Sequence, residues 1–530
     1  MRARSDADVI IIGSGINALV CAAMLGLRGK RVVLLERNPV AGGCIRTEEL
    51  TEPGFLHDTL STLYPLFVTA PHFPVLEPLL ARHGASFVNG TAPTGVLLAD
   101  GRSLILRTDR EANAAAFERF ADGDGAAYRR AMGDIERDAP LIFGLLGGDV
   151  WSWRTARMLL GEVRRRGLGG LARFFGGAMR ASRVWLEAAF VSPVSKALFA
   201  PWVLHVGLAP ESAASALMNK LVVFSLEQAG SPMIAGGSAR LVEAFERLIV
   251  EQGGAIHTHS DVQEIVVSRG RAVGVRLTDG TEYQARQAVV ASVTPTQLYE
   301  RLLPSSAVPP ATRTDAAEFR YGRGEMQIHL ALSEPPKWPD PELREVAMLH
   351  LTPGPDGVSQ AVNEAERGLL PAEATIVVAQ PIAIDPTRAP AGRWILWIQL
   401  QELPRDGQLK GDAAGQIEVP ADGHWTPAVR EAYADRIVER LARQIPNLKR
   451  SILGRHAISP ADLAALNINL VGGDPYAGLC SIDQFMLWRP LATPASHQTS
   501  VTGLYHIGAS THPGPGLGGV SGYLAAAEIR

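Results

Sequence analysis

The amino-acid sequence predicts an α/β fold: a discontinuous parallel-sheet domain combined with a second domain of mixed β-sheet and helical cap. Three observations predict it. A strand–glycine turn–helix–strand unit opens the chain at DVIIIGSGINALVCAAMLGLRGKRVVLLERN, Asp8 to Asn38. A strand emptying into a glycine-rich loop and a helix lies near the other end, at GLYHIGASTHPGPGLGGVSGYLAAAEI, Gly503 to Ile529. Between them, an arginine-rich helical stretch at 151–230 precedes several strand-like runs at 321–400.

In the opening unit, Val9 to Ile12 form a short apolar, β-branched run, the pattern of a parallel strand buried on both faces. Gly13-Ser14-Gly15 turns the chain, Ile16 to Leu27 are helix formers, and Gly29 marks a stop. Arg31 to Leu35 read as a second buried strand ending at Glu36. Bare Gly13 and Gly15 let a pyrophosphate touch the backbone, and Ala18 lets the helix pack closely on the strand. The helix N-terminus offers unpaired N–H groups and partial positive charge to the phosphates. Glu36 sits where a carboxylate accepts from both ribose hydroxyls and repels a 2′-phosphate, which disfavours NADP and leaves NAD and FAD open. An ordinary tight turn without a ligand is the competing reading. The agreement of turn, strands and acid argues for a Rossmann-like dinucleotide site.

The next residues, NPVAGGCIRTEEL, place Gly42-Gly43, Arg46 and Thr47 in a second glycine turn beyond the acid. At this point the sequence resembles the FAD-dependent amine-oxidase and phytoene-desaturase superfamily. Within it, SPMIAGGSARLVEAF (Ser231 to Phe245), DPTRAPAG (Asp385 to Gly392), NINLVGGDPYAGLCSIDQFMLWRP (Asn467 to Pro490) and the HPGPGLGG loop resemble its phytoene-desaturase-like members. The resemblance implies a non-covalent FAD, although Cys44 follows the glycine pair. It implies a cofactor set of Gly13, Ser14, Gly15, Ala18, Glu36 and Arg37. Gly42 and Gly43 would run along the FAD, with Arg46 near its phosphates or ring. Val262 would lie beside the adenine through its backbone, Gly508 and Ala509 near the diphosphate, and Gly519 and Val520 near the flavin ring. Glu251 to Ser292 reads as a hairpin with turns at Arg269-Gly270 and Asp279-Gly280 and a buried strand at Ala288 to Ala291. The FAD-binding domain is therefore expected in three parts, 1–100, 236–300 and 466–530. A helical cap and substrate region would span 101–235, and a substrate sheet with helices 301–465.

Met326 to Leu332, Val346 to Leu351, Ala374 to Ala379 and Trp394 to Leu400 read as the strands of that sheet, and Arg405 to Pro427 as a surface excursion. From Trp151 to Trp185 eight arginines are interleaved with Trp153, Phe174 and Phe175 against one acid, Glu162. Two readings stand: a basic surface resting on a membrane, and a helical cap with solvated or paired arginines interrupted at Gly161, Gly167, Gly169 and Gly170.

The chemistry implied is hydride transfer to flavin N5 from a hydrophobic small molecule, leaving a carbon–carbon double bond. Candidate catalytic residues are His512 in the Thr-His-Pro turn, His57 beside Asp58, and Tyr64. His329 reads as structural, His205 as cap lining, and Gln484 and Arg489 as holding substrate or the cofactor loop. The alternatives are amine oxidation, a saturase or isomerase using reduced FAD, and a non-catalytic FAD-binding scaffold. Relatives oxidising amines often place a lysine by the flavin; of six lysines here, only Lys220 and Lys337 fall in cap or roof segments. No second glycine unit for NAD(P)H occurs, so oxygen, a quinone or a carrier protein is the expected electron acceptor.

Composition excludes other classes. A net charge of −3 carries no field for nucleic acid. Three cysteines without CxxC spacing argue against a disulfide framework or cysteine metal site, and paired metal-ligand histidines and a GxSxG elbow are missing. With MRARSDA too short for a signal peptide and no apolar run of about 18 residues, a cytoplasmic enzyme is expected, with peripheral membrane contact through 151–185 as the variant. The sequence leaves the oligomeric state open.

Overall fold

The computed structural model describes residues 7–491 and 497–530; residues 1–6, on which the reading of the chain's start rests, and 492–496 lie outside them. Strand Ala7–Ile12 forms the centre of the first sheet, paired in parallel with Val32–Leu35 on one side and the second half of Glu282–Ser292 on the other. Ala255–His257 extends one edge and Leu504–Ile507 the other, both parallel. The five parallel strands thus come from three distant stretches of chain. The central stretches Val9 to Ile12 and Val32–Leu35 are apolar on both faces because both are covered. Val9 and Ile11 pack in a cluster with Leu19 and Phe245 of helices Ile16–Gly26 and Ala239–Glu251, and Ile10 and Ile12 pack with Ile265, Val275 and Leu298. The first half of Glu282–Ser292 turns antiparallel, against Arg271–Leu277 and then Val262–Ser268. The hairpin turn at Arg269-Gly270 uses left-handed backbone at both residues (φ 52° and 75°).

The second sheet runs Ile452–Ile458, Gly324–Leu332, Trp394–Leu403, Ile376–Ala379, Met348–Leu351, Thr94–Leu97, Ser103–Leu106 in spatial order. Its pairings are antiparallel except Met348–Leu351 with Thr94–Leu97. Thr94–Leu97 falls in the stretch 1–100 expected wholly in the cofactor domain; its hydrogen bonds put it in this sheet instead. Alternation divides the faces. Met326, Ile328 and Leu330 pack with Leu396, Ile398 and Leu400 against Tyr433, Ile437 and Leu441 of helix Pro427–Ala442. Glu325, Gln327 and His329, and Trp397, Gln399 and Gln401, occupy the alternate positions.

Helices Asp124–Leu146, Trp153–Ala178, Ser182–Ala189, Pro193–Phe199 and Ser215–Ala229 form the cap. Four glycines were expected to break the arginine-rich segment. Only Gly167 does so (φ 71°, ψ 165°); Gly161, Gly169 and Gly170 stay helical, each at a cost of about 1 kcal/mol that neighbouring turns absorb.

Candidate functional site

Both sheets and the cap border one cavity of about 1440 Å³. Its narrow arm is the dinucleotide slot. Gly13 (φ 89°) leaves the strand, and a Cβ on it would stand 3.2 Å from the Ser292 carbonyl oxygen. At Gly15, the N-cap of helix Ile16–Gly26, a Cβ would meet no protein atom within 4 Å, so the bare backbone faces open space. That is the geometry a pyrophosphate needs. Glu36 holds the turn: its carboxylate accepts from Ser14 Oγ (2.7 Å), Ser14 N (3.1 Å) and Asn38 N (2.9 Å), while Ser14 Oγ accepts from Gly42 N (3.1 Å). Glu36 thereby organises both glycine turns and still borders the slot. At the far end Gly519 (φ 71°) caps helix Val520–Glu528, and Gly522 brings that helix against Asn17 so closely that a Cβ would lie 1.8 Å from its carbonyl oxygen.

Twelve of the fourteen expected cofactor residues line this cavity: Gly13, Ser14, Gly15, Glu36, Arg37, Gly42, Gly43, Val262, Gly508, Ala509, Gly519 and Val520. Ala18 is fully buried beneath the helix, where its small side chain serves packing. Arg46 is a correction: it stands outside the lining, with its guanidinium 3.9 Å from Glu48. Arg489 is buried and donates to the carbonyls of Ala509 (2.8 and 3.0 Å) and Tyr476 (2.9 Å), tying down the loop that borders the slot. Gln484 bonds Arg320 and Leu479 backbone groups.

The catalytic expectations divide. Tyr64 lines the cavity, and burial raises its phenol well above the ordinary value. His512 does not: its Nε2 is 2.9 Å from the Gly148 carbonyl oxygen, and burial lowers its pKa to about 4, so the neutral ring pins the cap to the C-terminal loop. His57 also lies off the cavity. Its Nε2 contacts Thr51 Oγ1 at 2.7 Å, its ring meets His329 edge-on at 5.2 Å, and burial lowers its pKa to about 3. His329 contacts the Thr59 carbonyl oxygen at 3.1 Å. Lys220 lies over the Trp185 ring, 5.5 Å from its centroid, and no lysine lines the cavity among the described residues.

The wide arm of the cavity is mostly apolar, with Leu63, Leu66, Leu208, Met218, Leu221, Val222 and Met348 in its wall. Sequence reasoning missed its polar member. Glu325 stands where slot and chamber join, near enough to Cys44 to raise that thiol's pKa. Its Oε1 accepts from Gln399 Nε2 (2.7 Å) and from Gln327 Nε2, which leaves Oε2 for the cavity. Burial pushes its carboxyl up to about 7, against the two amide donors that pull it down. The signal was a polar residue at every second position of an otherwise apolar strand: Glu325, Gln327, His329.

A parallel sheet with a glycine slot, roofed by a mixed sheet over a chamber, defines an oxidoreductase of the flavin amine oxidase type. The chain belongs to the flavin containing amine oxidoreductase family, whose model matches residues 19–391. The mouse (Mus musculus) pyridine nucleotide-disulfide oxidoreductase domain-containing protein 2 is 27% identical over 563 residues, spanning 99% of this chain and 93% of the relative. The neurosporene-forming phytoene desaturase of Cereibacter sphaeroides is 27% identical over 532 residues, spanning 98% and 93%. An oxidoreductase from Methanosarcina mazei shares the fold at a TM-score of 0.64 and 14% identity, over 99% of this chain and 100% of the other. The resemblance read from the glycine turns therefore holds, and a flavin is the cofactor of the family. The slot fits one: open backbone at Gly15, a helix N-terminus beside it, and a second turn at Gly42-Gly43 that carries the slot toward Glu325. No helix among the described residues is long and apolar enough to cross a membrane.

Proposed function

We propose that this chain dehydrogenates a hydrophobic small molecule by carbon–carbon desaturation, with non-covalent FAD as hydride acceptor and Glu325 as proton acceptor. The observation that carries the reading is a single cavity joining the slot to an apolar chamber, with a buried carboxyl at the join. A flavin held by Gly13, Gly15 and Gly42-Gly43 would supply the hydride acceptor; the Glu325 carboxylate takes the proton from the adjacent carbon, and the electron pair of that second C–H bond becomes the new π bond. Gln327 and Gln399 hold the carboxyl in place. The mostly apolar chamber wall favours proton transfer to that group. Cys44 argues for a non-covalent flavin, because burial pushes its thiol up to about 11 and keeps it a poor nucleophile. Among the described residues no lysine lines the cavity, which favours desaturation over amine oxidation. Oxygen, a quinone or a carrier protein would reoxidise the flavin.

The experiment is anaerobic flavin bleaching against polyenes, steroids, acyl compounds and amines. A polyene or other hydrophobic C–H donor is expected to bleach the protein; reduction by amines alone, or by no organic donor, sinks the reading. With the bleaching substrate, the reduction rate will rise with pH through about 7 and level off above it, because the carboxylate is the accepting form. Glu325→Gln will lower the rate about 100-fold or more and flatten the profile. Glu402→Gln is the control: that carboxyl is also pushed up to about 7 by burial but lies off the cavity, and the inflection will remain.

Membrane contact through 151–185 belongs to the same proposal. Trp153 is 83% exposed and Leu168 75%, and Arg157, Arg164 and Arg173 make no ion pair among the described residues. Arg154 and Met158 of the same helix line the cavity, which supports entry of a lipophilic substrate on this side. The protein will co-sediment with phosphatidylglycerol-containing vesicles at low salt and less with pure phosphatidylcholine, and Trp153→Glu will release it. Equal recovery with both vesicles would leave the helix as a solvated cap.

A further inference from the structure

The cavity wall carries a second polar group that the proton step leaves unused. The 3₁₀ turn Ala200–Val206 sets His205 in the lining, and its Nε2 lies 2.9 Å from Nε2 of His350 on strand Met348–Leu351. Trp202 packs on both rings, at centroid distances of 4.4 Å to His205 and 4.7 Å to His350. Burial lowers both pKa values, that of His205 to about 3, so each ring holds a single proton.

One N–H must lie between the two Nε2 atoms. If His205 supplied it, the proton of His350 would sit on Nδ1, which is buried without a partner. A buried N–H is orphaned more rarely than a lone pair. The arrangement that avoids this has His350 donating from Nε2 and His205 protonated at Nδ1. That N–H meets no acceptor among the described residues, and its ring borders the cavity.

Cross-strand pairing fixes the position. Gln327, Gln399, Val377 and His350 are successive partners across the sheet. His350 thus stands three strand spacings, about 14 Å, from the strand that carries Glu325. Gln399 lies in the cavity wall between them, and Met348 and Trp397 line it one register row farther from Glu325.

We propose that His205 is a recognition point for a carbonyl oxygen on the hydrophobic substrate, donating an imidazole N–H to it from the part of the cavity remote from Glu325. This rests on the dehydrogenation reading for the identity of the ligand as substrate. It makes the substrate a molecule with a ketone, ester or carboxyl group toward one end and the reacting carbons toward the other, rather than a bare hydrocarbon.

The test binds a matched pair, 2-undecanone and undecane, delivered from the same cyclodextrin to FAD-loaded protein and followed by quenching of tryptophan emission, for which Trp202 is placed. The ketone will bind at least about tenfold more tightly. His205→Phe will erase that preference and leave undecane affinity unchanged. Equal affinity in the unmodified protein, or a preference that survives His205→Phe, overturns the proposal. So does stronger binding of 1-undecanol than of the ketone, which would mean that His205 presents an acceptor. Should His205→Phe fail to fold, His205→Gln retains a donor and must keep the preference; its loss in a folded protein counts against the proposal. Failure of the dehydrogenation reading appears separately, as flavin that no donor bleaches in a protein that still prefers the ketone.

Discussion

A Gly15→Val chain will fold normally and purify colourless. Gly15 has φ −65° and ψ 173°, which valine adopts readily, and a Cβ there meets no protein atom within 4 Å. The added side chain projects into the slot. The expected loss is at least a hundredfold in FAD affinity, about 2.8 kcal/mol or more, with the melting temperature of the apoprotein unchanged. Visible absorbance of the purified protein and FAD titration of the apoprotein check both halves. A yellow Gly15→Val protein with ordinary affinity would remove this turn from the cofactor's path. Gly522→Ala makes the contrast: its Cβ would lie 1.8 Å from the Asn17 carbonyl oxygen, so the two helices must separate and stability falls along with flavin binding.

Arg388→Met will destabilise the fold by about 3–5 kcal/mol. Arg388 is fully buried and joins its own turn to two short strands: it donates to Asp58 Oδ2 (2.9 Å), Asp385 Oδ2 (3.0 Å) and the Ile234 carbonyl (3.2 Å). Asp58 also accepts from Thr47, Thr62 and the Ser238 N–H, and Asp385 from the Gly236 N–H. Methionine keeps much of the volume but leaves two buried carboxylates without a cation. Burial alone would raise the pKa of Asp385; hydrogen bonds from Thr387, Gly236 and Arg388 outweigh it and hold the carboxyl below its ordinary value. A depressed carboxyl stabilises the fold above its unfolded-state pKa and loses that contribution as pH falls through the folded-state value. The deficit of Arg388→Met will therefore be largest at neutral pH and will shrink in acid. Urea denaturation at pH 7 and at a pH well below the ordinary aspartate value of 3.8 measures it, and Arg388→Met with Asp385→Asn will recover part. An unchanged midpoint at pH 7 would mean the cluster is dispensable.

The opening turn was legible because everything it needs is local. Gly13, Gly15 and Glu36 lie within one strand–helix–strand unit, and their spacing states the geometry. The strands Gly324–Leu332 and Trp394–Leu403 were legible as apolar runs, since a covered face demands them. The chamber was harder to read: Trp202, Glu325, Gln399 and Tyr476 meet across almost three hundred residues, and no local pattern connects them. His57 and His512 misled because each neighbours a motif in sequence. In space their rings turn aside to Thr51 and to the Gly148 carbonyl, contacts that depend on where distant segments settle. Helix Trp153–Ala178 misled in the other direction, because intrinsic glycine cost is a weak prior that context overrides.

Leu504–Ile507, which pairs with Val289 to Ser292, gives the cofactor compartment a birth order. Translation at about 5–20 residues per second exposes the opening glycine turn long before the strand and helix that close the compartment. Until residues 504–528 emerge, Glu282–Ser292 keeps a bare flank and the nucleotide has a floor without its last wall. Flavin capture then waits for residues 504–528, and the cofactor acts as a keystone dropped into an arch whose two halves were synthesised far apart in time.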